Sequence, residues 1–233
     1  MKTSSSILLA STLLALSGFA ANADPKSEVK DAIKKLGGES NYSWSFTPKT
    51  EGSEAAARQG PIEGKTEKDG FTWFKGAVGE NSFEVAVKGS KYAVNYSGEW
   101  MAVDEDSDET GRIAKRVKSL KNPIETAEEL ASKAGELKKD SDGVYAGDLT
   151  SEGAKELFGR LGRRAAAAQD AKGSVKFWVK GGLLTKYEFN VKGKMTVGED
   201  KKEVDVSRTI TVEIKDVGST KLSLPEAATK KLS

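Results

Sequence analysis

From Tyr42 onward, long stretches of this chain alternate apolar and polar residues with a period of two, a pattern that predicts strands with one buried and one wet face. Tyr42, Trp44 and Phe46 share one face, Phe71 and Trp73 another, Phe83, Val85 and Val87 a third, and Tyr92, Val94 and Tyr96 a fourth. The residues between them are largely Ser, Thr, Glu, Lys and Asn. The connectors Lys68-Asp69-Gly70, Gly79-Glu80-Asn81 and Gly89-Ser90 are short enough for hairpins, so this part predicts an antiparallel meander. Alternation returns beyond Gly173. Val175, Phe177 and Val179 lead to a Gly181-Gly182 turn, and Leu183, Tyr187, Phe189 and Val191 continue on the return strand. Val204, Val206, Ile210, Val212 and Ile214 mark another strand, and a short last segment ends in Leu222-Ser223-Leu224-Pro225.

Helical spacing appears before and between these strand regions. Val29, Ala32, Ile33 and Leu36 recur on one helix face, and Gly37-Gly38 ends the pattern. Asn122-Pro123-Ile124-Glu125 joins an Asn cap, Pro at the first helical position and Glu three residues after the cap. Ile124, Ala127, Leu130, Ala131, Ala134 and Leu137 then form an apolar stripe. Ile113, Val117 and Leu120 make a shorter stripe upstream, and Ala154, Leu157, Phe158 and Leu161 predict a further helix after Asp148-Leu149-Thr150. Gly143-Val144-Tyr145-Ala146-Gly147 between them reads as a brief extended piece. One sheet broken by a central helical insert, with the helices covering its apolar face, accounts for this order.

The first residues carry a different signal. Lys2, the apolar run Ile7 to Leu16 and the small-x-small triplet Ala21-Asn22-Ala23 have the form of a signal peptide over residues 1–23, cleaved after Ala23. Asp24 then begins the mature protein, expected to be periplasmic or secreted, with residues 24–233 as a single domain. The run is shorter than the roughly 20 apolar residues of a membrane span, and no later segment approaches that length. Cys and His are both absent, which removes zinc and iron-sulfur ligation, a Cys nucleophile and a Ser-His-Asp triad. Lys plus Arg number 37 and Asp plus Glu 35, so no overall field draws the chain to nucleic acid. No cofactor is expected, and binding rather than catalysis is the default class.

The order of a first helix, a meander, central helices and the closing strands Ser174 to Val179, Leu183 to Phe189 and Arg208 to Gly218 resembles the half-barrel carriers of the bacterial envelope. These are the LolA/LolB lipoprotein carriers and the mycobacterial LppX/LprG lipid-binding proteins. The resemblance covers most of the chain after residue 23. It implies an α+β fold, a strongly bent antiparallel sheet or half β-barrel with helices packed on its concave face, and acyl chains held between the two. The chain lacks the lipidated Cys of the LppX/LprG pattern and so resembles the freely diffusing carriers more closely. No residue matches the functional Arg typical of the lipoprotein carriers.

A carrier of this kind binds a lipid or an acylated protein non-covalently in an apolar concavity, with the helices as a lid. Trp44, Phe46, Trp73, Phe83, Tyr92, Phe177, Tyr187 and Phe189 are the candidates to line it. The same residues would serve a filled core, which leaves an exported structural or protein-binding module as the alternative, and a carboxylate-based hydrolase as a third class. Arg160, Arg163 and Arg164, with Arg112 and Arg116 on the other helix, form basic clusters that could meet a lipid headgroup or an envelope protein partner, or remain solvated. Asp104-Glu105-Asp106-Ser107-Asp108 has the opening spacing of a calcium loop, but Glu109 stands where Gly is needed, so no metal site is expected. Ser27-Glu28-Val29-Lys30 fits a Ser-x-x-Lys spacing without the companion elements of a serine acyl-enzyme.

Overall fold

The structure is a computed structural model, and it describes residues 24–52, 59–68, 70–96, 98–104, 106–107, 110–118, 122–160, 170–197 and 202–233. The expected signal peptide, the Arg163 and Arg164 pair, and Leu120 and Leu161 lie outside the described residues. The described elements run α1 (Pro25–Gly38), β1 (Asn41–Glu51), β2 (Gln59–Glu67), β3 (Thr72–Val78), β4 (Asn81–Lys88), β5 (Lys91–Asn95) and β6 (Trp100–Val103). Then follow α2 (Gly111–Lys118), α3 (Pro123–Lys133), β7 (Lys138–Ser141), β8 (Val144–Asp148), α4 (Ser151–Gly159), β9 (Lys172–Lys180), β10 (Leu183–Val197), β11 (Lys202–Lys215) and α5 (Glu226–Lys231).

All eleven strands join one antiparallel, curved and unclosed sheet in the order β6-β5-β4-β3-β2-β1-β11-β10-β9-β8-β7. The first six strands step outward from β1 as a meander, and the last five step outward from β11 on the other side. The two halves meet where β1 pairs with β11, in a register from Ser43 opposite Lys215 to Glu51 opposite Ser207.

Local chemistry sets the boundaries. Asp24 caps α1 by accepting from the Ser27 amide at 3.2 Å, and Asn122 caps α3 through Oδ1 to the Glu125 amide at 2.9 Å. Thr150 caps α4 by accepting from the Gly153 amide at 3.1 Å. Gly181 and Gly182, at φ of +61° and +73°, make the two-residue turn between β9 and β10 that a left-handed pair of residues allows.

Three details depart from the sequence reading. The stripe beginning at Ile124 leaves the helix early: α3 stops at Lys133, and Ala134 turns into extended backbone before Gly135. Leu137 is still buried, but from a connecting segment rather than a fourth helical turn. The next residues, Lys138–Ser141, form the edge strand β7, which the charge of Lys-Lys-Asp hides from a periodicity argument. On β10 the register shifts between Leu184 and Lys186, a bulge that brings Leu184 and Tyr187 into the core instead of continuing the alternation from Leu183.

The interior is built in two clusters on the inward face. Helices α1, α3 and α4 bury Val29, Ile33, Leu36, Leu130, Ala131 and Phe158 against β8 to β11 and β1. Helix α2 buries Ala114 and Val117 over Ile62, Phe74, Val85, Val94 and Val103 of the meander. A third cluster lies on the opposite face of the sheet, where Leu232, just after α5, and Ala228 within it cover Ala86 and Ala93, paired in register on β4 and β5. Two alanines with no exposed area leave the sheet flat enough there for the helix to seat. Enlarging one of them overfills this contact, so Ala93→Leu should lower stability in urea denaturation by about 1–3 kcal/mol and release the C-terminal segment to limited proteolysis.

Candidate functional site: a cavity at the seam of the sheet

β1 stands at the boundary of the two inward clusters, and its Trp44 and Phe46 pack against both while staying only partly buried. Over this boundary the helices do not fill the sheet's inward face. A cavity of about 700 Å³ remains between the strands and helices α2, α3 and α4.

The floor of the cavity follows the strand register in rows. Phe46, Val212 and Tyr187 form one row across β1, β11 and β10; Ile210 and Phe189 form the next; Arg208 and Val191 form the last. Ile62, Phe74, Val87 and Tyr92 extend the wall along the meander, and Val117, Pro123, Thr126 and Leu157 contribute from the helices.

Trp44 holds its place through an absence on the neighbouring strand. Gly64 lies opposite it in register, and a Cβ there would sit 2.2 Å from Cζ2 of the indole. The ring therefore lies flat over Gly64, donates from Nε1 to Thr66 Oγ1 at 3.2 Å, and meets Phe74 with centroids 6.0 Å apart. Tyr187 ties the floor to the helical cover, since its hydroxyl donates to the Pro123 carbonyl at the start of α3 at 3.0 Å. Burial pushes its phenol far above the ordinary value, so it acts here as a neutral donor.

Ion pairs close the cavity where α3 meets α4. Arg160 grips Glu129 through both terminal nitrogens, at 2.8 and 2.5 Å, and reaches Glu156 at 2.7 Å. Lys133 also donates to Glu156 and approaches Glu129 at 3.5 Å. The hydrogen bond from Lys133 holds the Glu156 carboxyl below the usual glutamate value, and the bond to Glu129 raises the Arg160 guanidinium.

Of the eight aromatic residues proposed for a cavity, Trp44, Phe46, Tyr92, Tyr187 and Phe189 line this one. Phe83 packs edge-on against Phe74 in the meander cluster, with centroids 6.5 Å apart. Phe177 is fully buried between Tyr145 and Tyr187 in the filled part of the core. Trp73 is on the other face: Phe74 is the inward residue of β3, and the Trp73 indole donates to Glu84 Oε2 at 3.0 Å. The Arg160 side chain is committed to Glu129 and Glu156 at the cavity rather than to a free basic face. Arg112 and Arg116 fall on α2, with side chains outside the described atoms. Asp104 Oδ1 accepts from the Asp106 amide at 3.0 Å and so shapes its own loop.

Arg208 was not among the sequence candidates. It occupies an inward position of β11 between Val206 and Ile210, is only 9% exposed, and donates to Gln59 Oε1. The signal was present in the sequence, because period two places residue 208 on the same face as 206, 210, 212 and 214.

No family profile matches the chain, and no curated protein matches it. Among solved structures it is similar to LprF from Mycobacterium bovis, at 9% identity over 88% of this chain and 97% of that one, with a TM-score of 0.49. It is also similar to the lipoprotein LppX of Mycobacterium tuberculosis, at 12% identity over 86% and 98%, with a TM-score of 0.48. A LolA superfamily protein of Nitrosomonas europaea is similar at 9% identity over 86% and 95%, with a TM-score of 0.30.

Two outcomes follow from this geometry. Gly64→Ala should displace the Trp44 indole, changing the near-ultraviolet circular dichroism and costing about 1–3 kcal/mol in urea denaturation. Glu156 has a depressed pKa, so its contribution is present above the ordinary glutamate value and is lost as pH falls through the depressed one. Comparing Glu156→Gln with the parent between about pH 5 and pH 2 should show a shallower loss of stability in the variant.

Proposed function

We propose that this chain is an exported binding protein, not an enzyme, that holds a hydrophobic ligand non-covalently in the cavity at the seam of its sheet. The ligand class is a lipid or the acyl chain of a modified protein. The observation that carries this reading is the open volume of about 700 Å³ bordered by aromatic and aliphatic side chains, among which Trp44, Phe46 and Tyr92 stay only partly buried. That volume falls in the range of roughly 300–1,000 Å³ typical of small-molecule sites. Ten buried methylenes would supply about 8 kcal/mol before the costs of association.

The helical cover fits a gating role. At the cavity, α3 is tied to the floor by the Tyr187 hydrogen bond and to α4 by the Arg160 and Lys133 ion pairs, polar contacts that can exchange for water when the helices part, while Leu130, Ala131 and Phe158 anchor both helices in the core. Export rests on the leader-like residues 1–23, and no helix among the described residues is long and apolar enough to cross a membrane.

Native mass spectrometry of the protein from its exported fraction, with organic extraction of whatever is bound, tests the proposal. A stoichiometric lipid that survives purification, and that is lost in Ile210→Trp while circular dichroism is unchanged, is the expected result. A clean unliganded mass that takes up no offered lipid would return the weight to a protein-binding module.

A further inference from the structure

The floor of the cavity is not uniformly apolar. Along β11 it runs from Val212 through Ile210 to Arg208, a span of four residues or about 13 Å, and so passes from an aromatic and aliphatic end to a cationic one. Among the described residues Arg208 has one partner, the neutral Gln59 side chain. Its Nε is buried with no hydrogen-bond partner among the described residues. Thr50, opposite it in register on β1, has a buried Oγ1 in the same condition. Two of the three such atoms found among the described residues therefore belong to one row of the sheet.

No carboxylate among the described residues pairs with Arg208, and burial alone pulls its guanidinium below the ordinary value. The other cation among the described lining residues is in a different position, because Arg160 is occupied by Glu129 and Glu156. A buried guanidinium without a counter-charge is costly, and an anion that brings oxygen acceptors to it recovers that cost.

We infer that Arg208 is the headgroup anchor of the cavity, and that the ligand is an anionic amphiphile whose carboxylate or phosphate meets Arg208 while its chain lies along Ile210, Phe189, Val212 and Phe46. This rests on the reading of the cavity as a hydrophobic ligand site and adds the charge and orientation of what it takes. Hydrogen bonds from a charged donor to a charged acceptor are about twice as strong as neutral ones, so the anchor discriminates between ligands that share a chain and differ in head.

The test compares the affinity of the full mature protein for oleate and oleyl alcohol, and for monooleoyl lysophosphatidate and monoolein. At least one anion should bind about tenfold or more tightly than its neutral counterpart, oleate identifying a carboxylate ligand and lysophosphatidate a phosphate one. Arg208→Met should abolish that preference, keep the affinity for the neutral lipid, and melt no lower than the parent, since it removes a desolvated charge. The Nε–H resonance of Arg208, assigned with Arg208→Lys, should move on adding the preferred anion and stay with its neutral partner, a measurement that does not depend on the Met variant folding. Equal affinity within both pairs, a preference that survives Arg208→Met, or an unmoved resonance would overturn the anchor alone. Failure of all four lipids to bind would overturn the ligand-site reading and the anchor with it.

Discussion

The pairing of β1 with β11 is the contact on which the rest of the molecule depends. It joins a strand from the start of the described chain to one near its end, across more than 150 intervening residues, through an unbroken register from Ser43 to Glu51. Closing so large a loop costs entropy, and the return comes only when the whole row forms together. Without it, the meander β1 to β6 and the block β7 to β11 would be separate sheets, each with an unpaired edge along a long strand, β1 in one and β11 in the other. The cavity is a product of the same seam. Each half has its own helical cover, and the floor at the junction draws Phe46 from one half and Val212 and Tyr187 from the other.

The two faces of the sheet are handled differently on either side of that seam. Over β8 to β11 the inward face is packed by three helices and the outward face is polar, with Trp178 lying under Lys176 and Lys186 at 5.6 and 4.6 Å. Over β4 and β5 both faces are apolar, since Val85 and Val94 face α2 while Ala86 and Ala93 face α5. The meander thus has one short helix on each side, and the larger helices sit over the other half. This uneven cover leaves the open volume beside β1 rather than in the middle of either cluster.

The strand and helix periods were legible because they follow from burial on one face. Val206, Ile210, Val212 and Ile214 all face inward as their spacing requires, and the Asn122-Pro123 start of α3 has the expected cap. What escaped the sequence is information about a partner element. Phe71 and Trp73 alternate correctly, yet the inward residue of β3 is Phe74, and on the outward face Phe71 packs into the α5 cluster while Trp73 donates to Glu84. α5 itself is only six residues, too short for a period to register, and β7 is too charged. The cavity depends on where helices stop and on a missing Cβ at Gly64, and neither quantity is written in the alternation of a single strand.

The energetics of the inward face distinguish its regions. Under α1 and α3 the interior is apolar and filled, with Ile33, Leu36, Leu130 and Leu184 almost fully buried, as a surface selected for stability alone would be. Beside β1 the same face keeps open volume, half-buried aromatic rings and a guanidinium that burial disfavours. An unfilled void forfeits dispersion contacts, and each unsatisfied buried polar group costs about 1–3 kcal/mol. The open volume and two of the three such polar atoms among the described residues, Arg208 Nε and Thr50 Oγ1, fall together beside the β1–β11 pairing. A ligand that is apolar along most of its length and anionic at one end would offset both kinds of loss at once, which neither a filled core nor a purely hydrocarbon guest can do.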